Sequence, residues 1–372
     1  MGGRVPRTIP DMGEISRVLV LGLGKVGDLV AHLLHDAGFD VVGADLVCRS
    51  GATPFPVVAL DVGDAAQVAG RLAGCDAMVS CLPFRFNGPI AEAAVALGVH
   101  YFDLSEDVAT TQRLMALGEG AGSAVMPQCG LAPGLICMTG AWLARGLDRV
   151  ESIELKVGAL PASPSGLLGY AFNWSPEGVV NEYLNDCEVI RDGRRRSVPS
   201  MSEIEVVWIG GTQLEAFTTS GGLGTMCATF EGQVDRLDYK TLRYPGHCEL
   251  MRFFFDELHM RQDRELAGRI LVKAKPPVDD DVVYLYAAVE GERSGVLVRE
   301  QLVRTYRPVV LAGRRWRAIS WTTAASACAA VELVAGGDLP NQGFVRQEQV
   351  DLDALMATPT GRMLADATPV AA

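Results

Sequence analysis

Residues Arg17–Leu21 read Arg-Val-Leu-Val-Leu and stop at Gly22, a short aliphatic and β-branched run of the kind that forms a strand buried on both faces. Apolar positions then fall at Val26, Leu29, Val30, Leu33 and Leu34 between Lys25 and Gly38, the three-and-four spacing of an amphipathic helix. The alternation recurs, with strands expected near Asp40–Ala44, Val57–Leu60, Ala77–Cys81, Val99–Asp103 and Ser123–Met126, and helices over stretches such as Ile90–Leu97 and Thr110–Gly118. Strands and helices alternating at this rhythm predict an α/β fold, a Rossmann-type doubly wound parallel sheet.

After Gly130 the period changes. Longer alternating segments (Ser152–Gly158, Glu203–Trp208, Val282–Val289, Ser294–Tyr306), a hairpin at Asp192-Gly193 and one helix over Cys248–Leu258 predict a second α+β domain with a largely antiparallel sheet. Trp321 to Ala335 is a small-residue helix ending at Gly336-Gly337, expected to pack back on the first domain. The predicted organisation is an N-terminal extension over 1–16, a dinucleotide-binding domain over 17–130, a substrate-binding and dimerisation domain over 131–320, and a returning C-terminal helix with its tail over 321–372. The tail after Thr358 is expected to be loose. An open sheet must cover its edge or outer face, so a homodimer is expected.

Composition narrows the partners. The net charge of −12 repels phosphate backbones and anionic membranes, so neither nucleic acid nor membrane is expected as a partner. No segment is read as a spanning helix of roughly 18 apolar residues, and the N-terminus lacks the apolar core of a leader. The 9 cysteines are scattered with no CxxC pair, which suggests neither a zinc site nor a disulfide framework, and points to reduced thiols in the cytoplasm. No metal is expected.

Gly22-Leu23-Gly24-Lys25-Val26-Gly27 is a GxGxxG string between a predicted strand and helix, and Asp45 ends the next strand roughly 20 residues further on. Glycines there let the backbone turn tightly and approach a pyrophosphate, whose charge sits at the amide-rich helix start. Asp45 would accept from a ribose 2′-hydroxyl and repel a 2′-phosphate, favouring NAD over NADP, a preference weakened by Arg49. Asp61 and Val62 end the third strand, and Ser80, Leu82 and Pro83 the fourth; they stand at the edge where an open α/β sheet binds its ligand, or are ordinary turn residues. Asp103 and Ser105 end the fifth, where the carboxylate is either a base beside a nicotinamide or a helix cap. Arg243, Tyr244 and His247 surround a Pro-Gly turn: a planar fork for a carboxylate, a phenol, and an imidazole that titrates near neutrality.

With GLGKVG, SCLP, YFDLS, QCGLAPG (Gln128 to Gly134), NWSPEG (Asn173 to Gly178) and TLRYPGH (Thr241 to His247) in this order, the chain resembles the saccharopine dehydrogenase (reductase) family from about Arg17 to about Gln349, and within it the lysine 6-dehydrogenase branch. The resemblance implies that CGLAPG crosses between the domains and that the WSPEG and RYPG segments, with Trp174, Glu177 and Tyr244, face the nicotinamide. It implies that Arg243 binds a substrate carboxylate and that Asp103, Cys129 and Trp174 surround the reacting carbon.

The expected activity is NAD-dependent oxidative deamination of the ε-amine of L-lysine or a close diamino acid, with His247 or Asp103 as base and a semialdehyde product that cyclises. The rival within the same fold is an NAD(P)-dependent reductase or dehydrogenase of a secondary amine, of the saccharopine or carboxy-polyamine type. The rival of another class is a non-catalytic NAD-binding sensor or scaffold.

Overall fold

The computed structural model describes residues 15–47 and 53–365; the expectations for the extension before Ile15, for Cys48 and Arg49, and for the last seven residues lie outside them. The first half folds into β1 (Arg17–Leu21), β2 (Asp40–Asp45), β3 (Val57–Ala59), β4 (Ala77–Ser80), β5 (His100–Asp103) and β6 (Ala124–Met126), all parallel and ordered β6-β5-β4-β1-β2-β3. Val18, Val20 and Leu21 in β1 are fully buried because helices cover both faces, which is why this strand reads as a continuous apolar run. The strand order reverses between β1 and β4, so a crevice opens at their carboxyl ends.

The second half builds β7 (Arg149–Pro161), β8 (Cys187–Arg191), β9 (Arg194–Val198), β10 (Glu205–Ile209), β11 (Thr212–Thr218), β12 (Arg236–Arg243), β13 (Asp281–Arg293) and β14 (Val296–Tyr306), followed by the small hairpin β15 (Val309–Leu311) and β16 (Arg314–Trp316). The sheet runs β10-β11-β12-β7-β13-β14, with the β8–β9 hairpin attached to β12. It is antiparallel except for β7 beside β12, so the sheet is mixed at its centre. The expected hairpin turns at Asp192 and Gly193, both with positive φ, as a two-residue loop requires. The helix Ile136–Arg145 packs on one face, where a Cβ on Gly140 would stand 2.6 Å from Leu155. The helices Pro176–Leu184 and Arg264–Ala274 bury their apolar sides against Leu160, Leu242 and Val282 on the other. The helix expected over Cys248–Leu258 is found as His247–Arg252 running into a wider turn, Phe253–Glu257.

The chain then returns. The helix Ala318–Gly336 packs against Gly27–Ala37 of the first half, and β17 (Gly343–Phe344) joins the edge of β6. By length and composition this helix is apolar enough to cross a membrane, contrary to the expectation that no segment is, and 83% of that stretch is buried inside the protein. Its alanines make it a core helix that lies close to both halves. The tail is also more ordered than expected. Thr360 N donates to Glu332 at 3.1 Å, and Leu364 is fully buried below the helix.

Asp281, fully buried at the start of β13, accepts the N–H groups of Ala318 at 2.6 Å and Ile319 at 3.1 Å. A strand of the second sheet thus caps the helix that returns to the first. Asp281→Ala should leave two donors unpaired and cost about 1–3 kcal/mol, lowering the urea midpoint of unfolding; an unchanged midpoint would remove this cap from the account.

Candidate active site

The glycine turn after β1 is built by close approach. At Gly22, with φ of +86°, a Cβ would stand 2.9 Å from Leu82, and at Gly27 it would stand 1.9 Å from the Gly22 carbonyl. Gly24 differs, since nothing lies within 4 Å of where its Cβ would be, so this peptide faces open space. Asp45 at the end of β2 accepts the Leu23 N–H at 2.8 Å and the Leu46 N–H at 2.7 Å, fixing the turn while its charge stays at the edge. A tight turn with an open peptide, helix amides behind it and an acid beside it fits a dinucleotide. Val62 is half-buried and Asp61 is exposed, its carboxylate accepting the Gly63 N–H.

A cavity of 380 Å³ lies between this edge and the second sheet. Lys25, Val26, Leu82, Pro83 and Ser105 line one wall, Trp174 another, and Val157, Tyr239, Thr241 and Arg243 of β7 and β12 form the floor. Of the residues singled out in the sequence, those six outside the floor strands and Arg243 itself meet here. Arg243 is 3% exposed. Its Nε donates to the Tyr183 hydroxyl at 2.7 Å and its Nη1 to the Leu242 carbonyl at 2.8 Å, and its plane lies over the Tyr170 ring at 4.7 Å. Burial works against the charge, but Tyr183, Tyr170 and Glu182 outweigh it and hold the guanidinium firmly protonated. The rest of the fork is left for a ligand anion.

Several expected residues stand elsewhere. His247 does not line the cavity; it lies behind Arg243, fully enclosed. Its Nδ1 is 2.9 Å from the Leu168 carbonyl, which can only accept, so Nδ1 carries the proton and Nε2 accepts from the Tyr183 hydroxyl at 2.9 Å. Burial, then the Arg243 charge, push the imidazole down to about 3, so it is neutral at ordinary pH and is a poor base. Asp103 is also fully buried outside the cavity, accepting from the Gln128 and Ser105 N–H groups, the Tyr101 hydroxyl and Asn87 at 2.8–3.0 Å. It ties β5 to the crossover into the second domain. Cys129 is buried beneath Gly130, its thiol donating to the Met126 carbonyl. Ser80 donates to Asn87 inside the first domain. Glu177 pairs at 3.2 Å with Arg85 across the rim, and Tyr244 donates to the Pro161 carbonyl; neither lines the cavity.

Two acids absent from the sequence reading do line it, Glu106 and Glu182. Burial pushes Glu106 up to about 7, helped by Asp107, Asp103 and Glu177. Burial likewise pushes Glu182 up to about 8, with Arg243 opposing and Glu106 adding to the shift. At the motif glycine Gly178 a Cβ would stand 2.5 Å from both Glu106 Oε1 and Trp174 Cζ3, so this acid and the indole together crowd the position. Glu106 directly follows the YFDLS string, which was a signal available beforehand; Glu182 carried none.

The fold and this cleft define a Rossmann-type dinucleotide-binding protein with its ligand cavity between two domains. The family model described as the saccharopine dehydrogenase NADP binding domain matches residues 18–126, and that of the saccharopine dehydrogenase C-terminal domain matches 130–367. The chain belongs to the saccharopine dehydrogenase family. It is 28% identical over 196 residues to saccharopine dehydrogenase [NADP(+), L-glutamate-forming] of Pyricularia oryzae, covering 49% of this chain and 43% of that protein. It is 28% identical over 263 residues to the mitochondrial α-aminoadipic semialdehyde synthase of Bos taurus, covering 65% of this chain and 28% of that one. The match therefore spans less than half the length of either relative. The apo structure of saccharopine dehydrogenase (L-Glu forming) from Saccharomyces cerevisiae superposes with a TM-score of 0.71 at 18% identity, over 96% of this chain and 100% of that one, a likeness of fold.

Because His247 is neutral throughout, His247→Asn should alter ligand affinity through Arg243 while adding or removing no limb in a pH profile between about pH 5 and 9. A ligand-binding pH profile that loses a limb in the variant would restore the imidazole as a titrating group.

Proposed function

We propose that the protein is an NAD(P)-dependent oxidoreductase of amino-acid metabolism acting on a carbon–nitrogen bond, and that its substrate is L-lysine or a close diamino acid, deaminated oxidatively at the terminal amine. Family membership supports the oxidoreductase class. The charges of the cavity carry the finer reading. Its lining holds one buried cation, Arg243, and two half-buried acids, Glu106 and Glu182, while Lys25 stands on the glycine turn. A diamino acid, with one carboxylate and two ammonium groups, complements that set. Saccharopine, with three carboxylates, would find a single guanidinium at the substrate end.

A bound dinucleotide would rest on the Gly22–Gly27 turn and the Leu82–Pro83 edge, and its nicotinamide would supply the acceptor for the two electrons of the C–H bond. Arg243 takes the α-carboxylate, held by Tyr183 and Tyr170 so that little ordering is left to do on binding. Trp174 and the leucine and proline of the opposite wall exclude water around the reacting carbon. Water added to the resulting iminium would release ammonia, and the semialdehyde so formed would cyclise on its own α-amine. Asp45 supports NAD over NADP, as its carboxylate would repel a 2′-phosphate, although the Pyricularia oryzae relative is an NADP(+) enzyme by its name.

The second reading is a saccharopine-type or carboxy-polyamine dehydrogenase, and its saccharopine branch is favoured by the names of the Pyricularia oryzae relative and the Saccharomyces cerevisiae structure. Absorbance at 340 nm with NAD or NADP, and with lysine, ornithine, diaminobutyrate, saccharopine and polyamines in turn, separates the two. Reduction with a free diamino acid is expected, faster with NAD, and Arg243→Gln should lower kcat/KM by roughly 10²-fold or more. Turnover of saccharopine alone would move the assignment to the second reading.

A homodimer in the cytoplasm completes the proposal. The eight described cysteines are free thiols, which suits a reducing compartment. The edge strands of the second sheet expose Val206 and Trp208 on β10 and Val296 and Leu297 on β14, apolar edges that a second copy would cover. Light scattering at micromolar concentration should give twice the chain mass; a monomer mass would remove the dimer.

A further inference from the structure

Glu106 and Glu182 line two spaces at once. Besides the main cavity, they line a separate opening of 10 Å³ together with Asp107, Asn181, Asn185 and Ser220, a volume that holds about one water. Its outer end passes Val108, which is 47% exposed. The opening is built rather than incidental. Arg264 donates to Asn181 Oδ1 at 2.9 Å and Asn185 Oδ1 at 2.8 Å, so both amide oxygens are engaged outward and both amide NH₂ groups remain. Ser220 N donates to the Glu182 carbonyl, and Asp107 is held as the cap of the following helix by Thr110. No neighbouring side chain among the described residues donates a hydrogen bond to the carboxylate of Glu106 or Glu182. Both therefore remain free to take a proton.

We infer that Glu106 and Glu182 form one proton-holding pair, which accepts the proton of the substrate ammonium from the cavity and passes it to solvent through this water-sized opening. The substrate clause rests on the deaminase reading above; the pair and its opening do not. The step is a proton transfer alone: the N–H bond of the ammonium breaks, an O–H bond forms on the carboxylate, and the amine is left neutral with its lone pair free. A second transfer, from carboxyl to water in the opening, resets the pair.

The electrostatics suit the task. An amine of ordinary pKa near 10.4 gives up its proton reluctantly to a carboxylate of about 4.3, and the gap narrows by several units when burial lifts the acid. Glu182 faces Arg243 and Tyr239 from β12, Tyr170 from the segment before its helix, and Glu106 from the first domain, with Tyr183 and Cys187 nearby on its own segment. Glu106 faces Asp107, Asp103 and Glu177. With two acids close and one guanidinium beside them, the pair takes up protons as a unit.

Two measurements on the full chain test this. In a potentiometric difference titration without substrate, wild type should bind at least one extra proton, approaching two, relative to the Glu106→Gln, Glu182→Gln double variant as pH falls from about 9 to about 6. No difference would overturn the pair whatever the substrate. In steady state, Glu182→Gln should lower kcat at least tenfold and move the acid limb of the pH profile to lower pH, because the acid lifted to about 8 is then gone and Glu106, lifted only to about 7, sets the limb. Both single variants within twofold of wild type, with an unmoved acid limb, would overturn the proton transfer. A wild type that takes up the extra proton while oxidising no amine would keep the pair and remove the deaminase reading, so the two failures are distinct.

Discussion

A guanidinium that cannot lose its charge sits almost without solvent at the floor of the interdomain cleft, and the architecture around Arg243 follows from having to keep it there. An isolated buried cation is prohibitively costly, so the cost must be met by hydrogen bonds and nearby negative density. Leu242 offers a carbonyl, Tyr183 an oxygen and Tyr170 a ring face. Tyr183 can accept from Arg243 only because its own proton goes to His247, and His247 can accept only because its other nitrogen donates to Leu168. The TLRYPGH string is thus one hydrogen-bonded chain wrapped around a charge. Its turn makes this possible: Gly246, with φ of +89°, starts the helix that carries His247 back behind Arg243.

The same cation organises the acid side of the cavity. Glu182 lies on the helix that also supplies Tyr183, so one element brings both an oxygen to Arg243 and a carboxylate to the cavity. Glu106 comes from the other domain and reaches over Gly178. The site is therefore shared between domains in its charges as well as its walls, and the Arg85–Glu177 pair at the rim spans the same gap. Asp281 capping the returning helix and β17 closing onto β6 tie the two halves at other points, which keeps these opposed charges in register.

Motif membership pointed to segments that border the cavity, while several of their side chains stand outside it. Asp103 and Cys129 belong to strings that do border the cavity, through Ser105 and Gly130, but strand alternation and the turn at Gln128 aim those two side chains inward to hold the crossover. His247 has the right chemistry for a base in water and loses it by burial. Glu106 and Glu182 ended up in the cavity because a loop and a helix from distant parts of the chain meet there; Glu106 was marked only by following the YFDLS string, and nothing in the local spacing marks Glu182. The helix Pro176–Leu184 was legible in principle, since Ser175 caps it and Pro176 opens it, yet its short apolar stripe was overshadowed by strand-like neighbours.

By itself the sequence determined what depends on local chain chemistry: the parallel strands of the first domain, the glycine turn with its acid, the Asp192-Gly193 hairpin, and the presence of a cation at Arg243. These follow from side-chain periodicity, glycine's access to positive φ and fixed charge, which are properties of a few consecutive residues. Tertiary structure alone decided the parallel pairing of β7 with β12, the burial of the apolar helix Ala318–Gly336, and which titratable groups face the cavity and which lie behind it. Those outcomes depend on burial and on neighbours drawn from both domains, and it is that surrounding, not residue type, that turns His247 into a neutral prop and two ordinary glutamates into groups that titrate near neutrality.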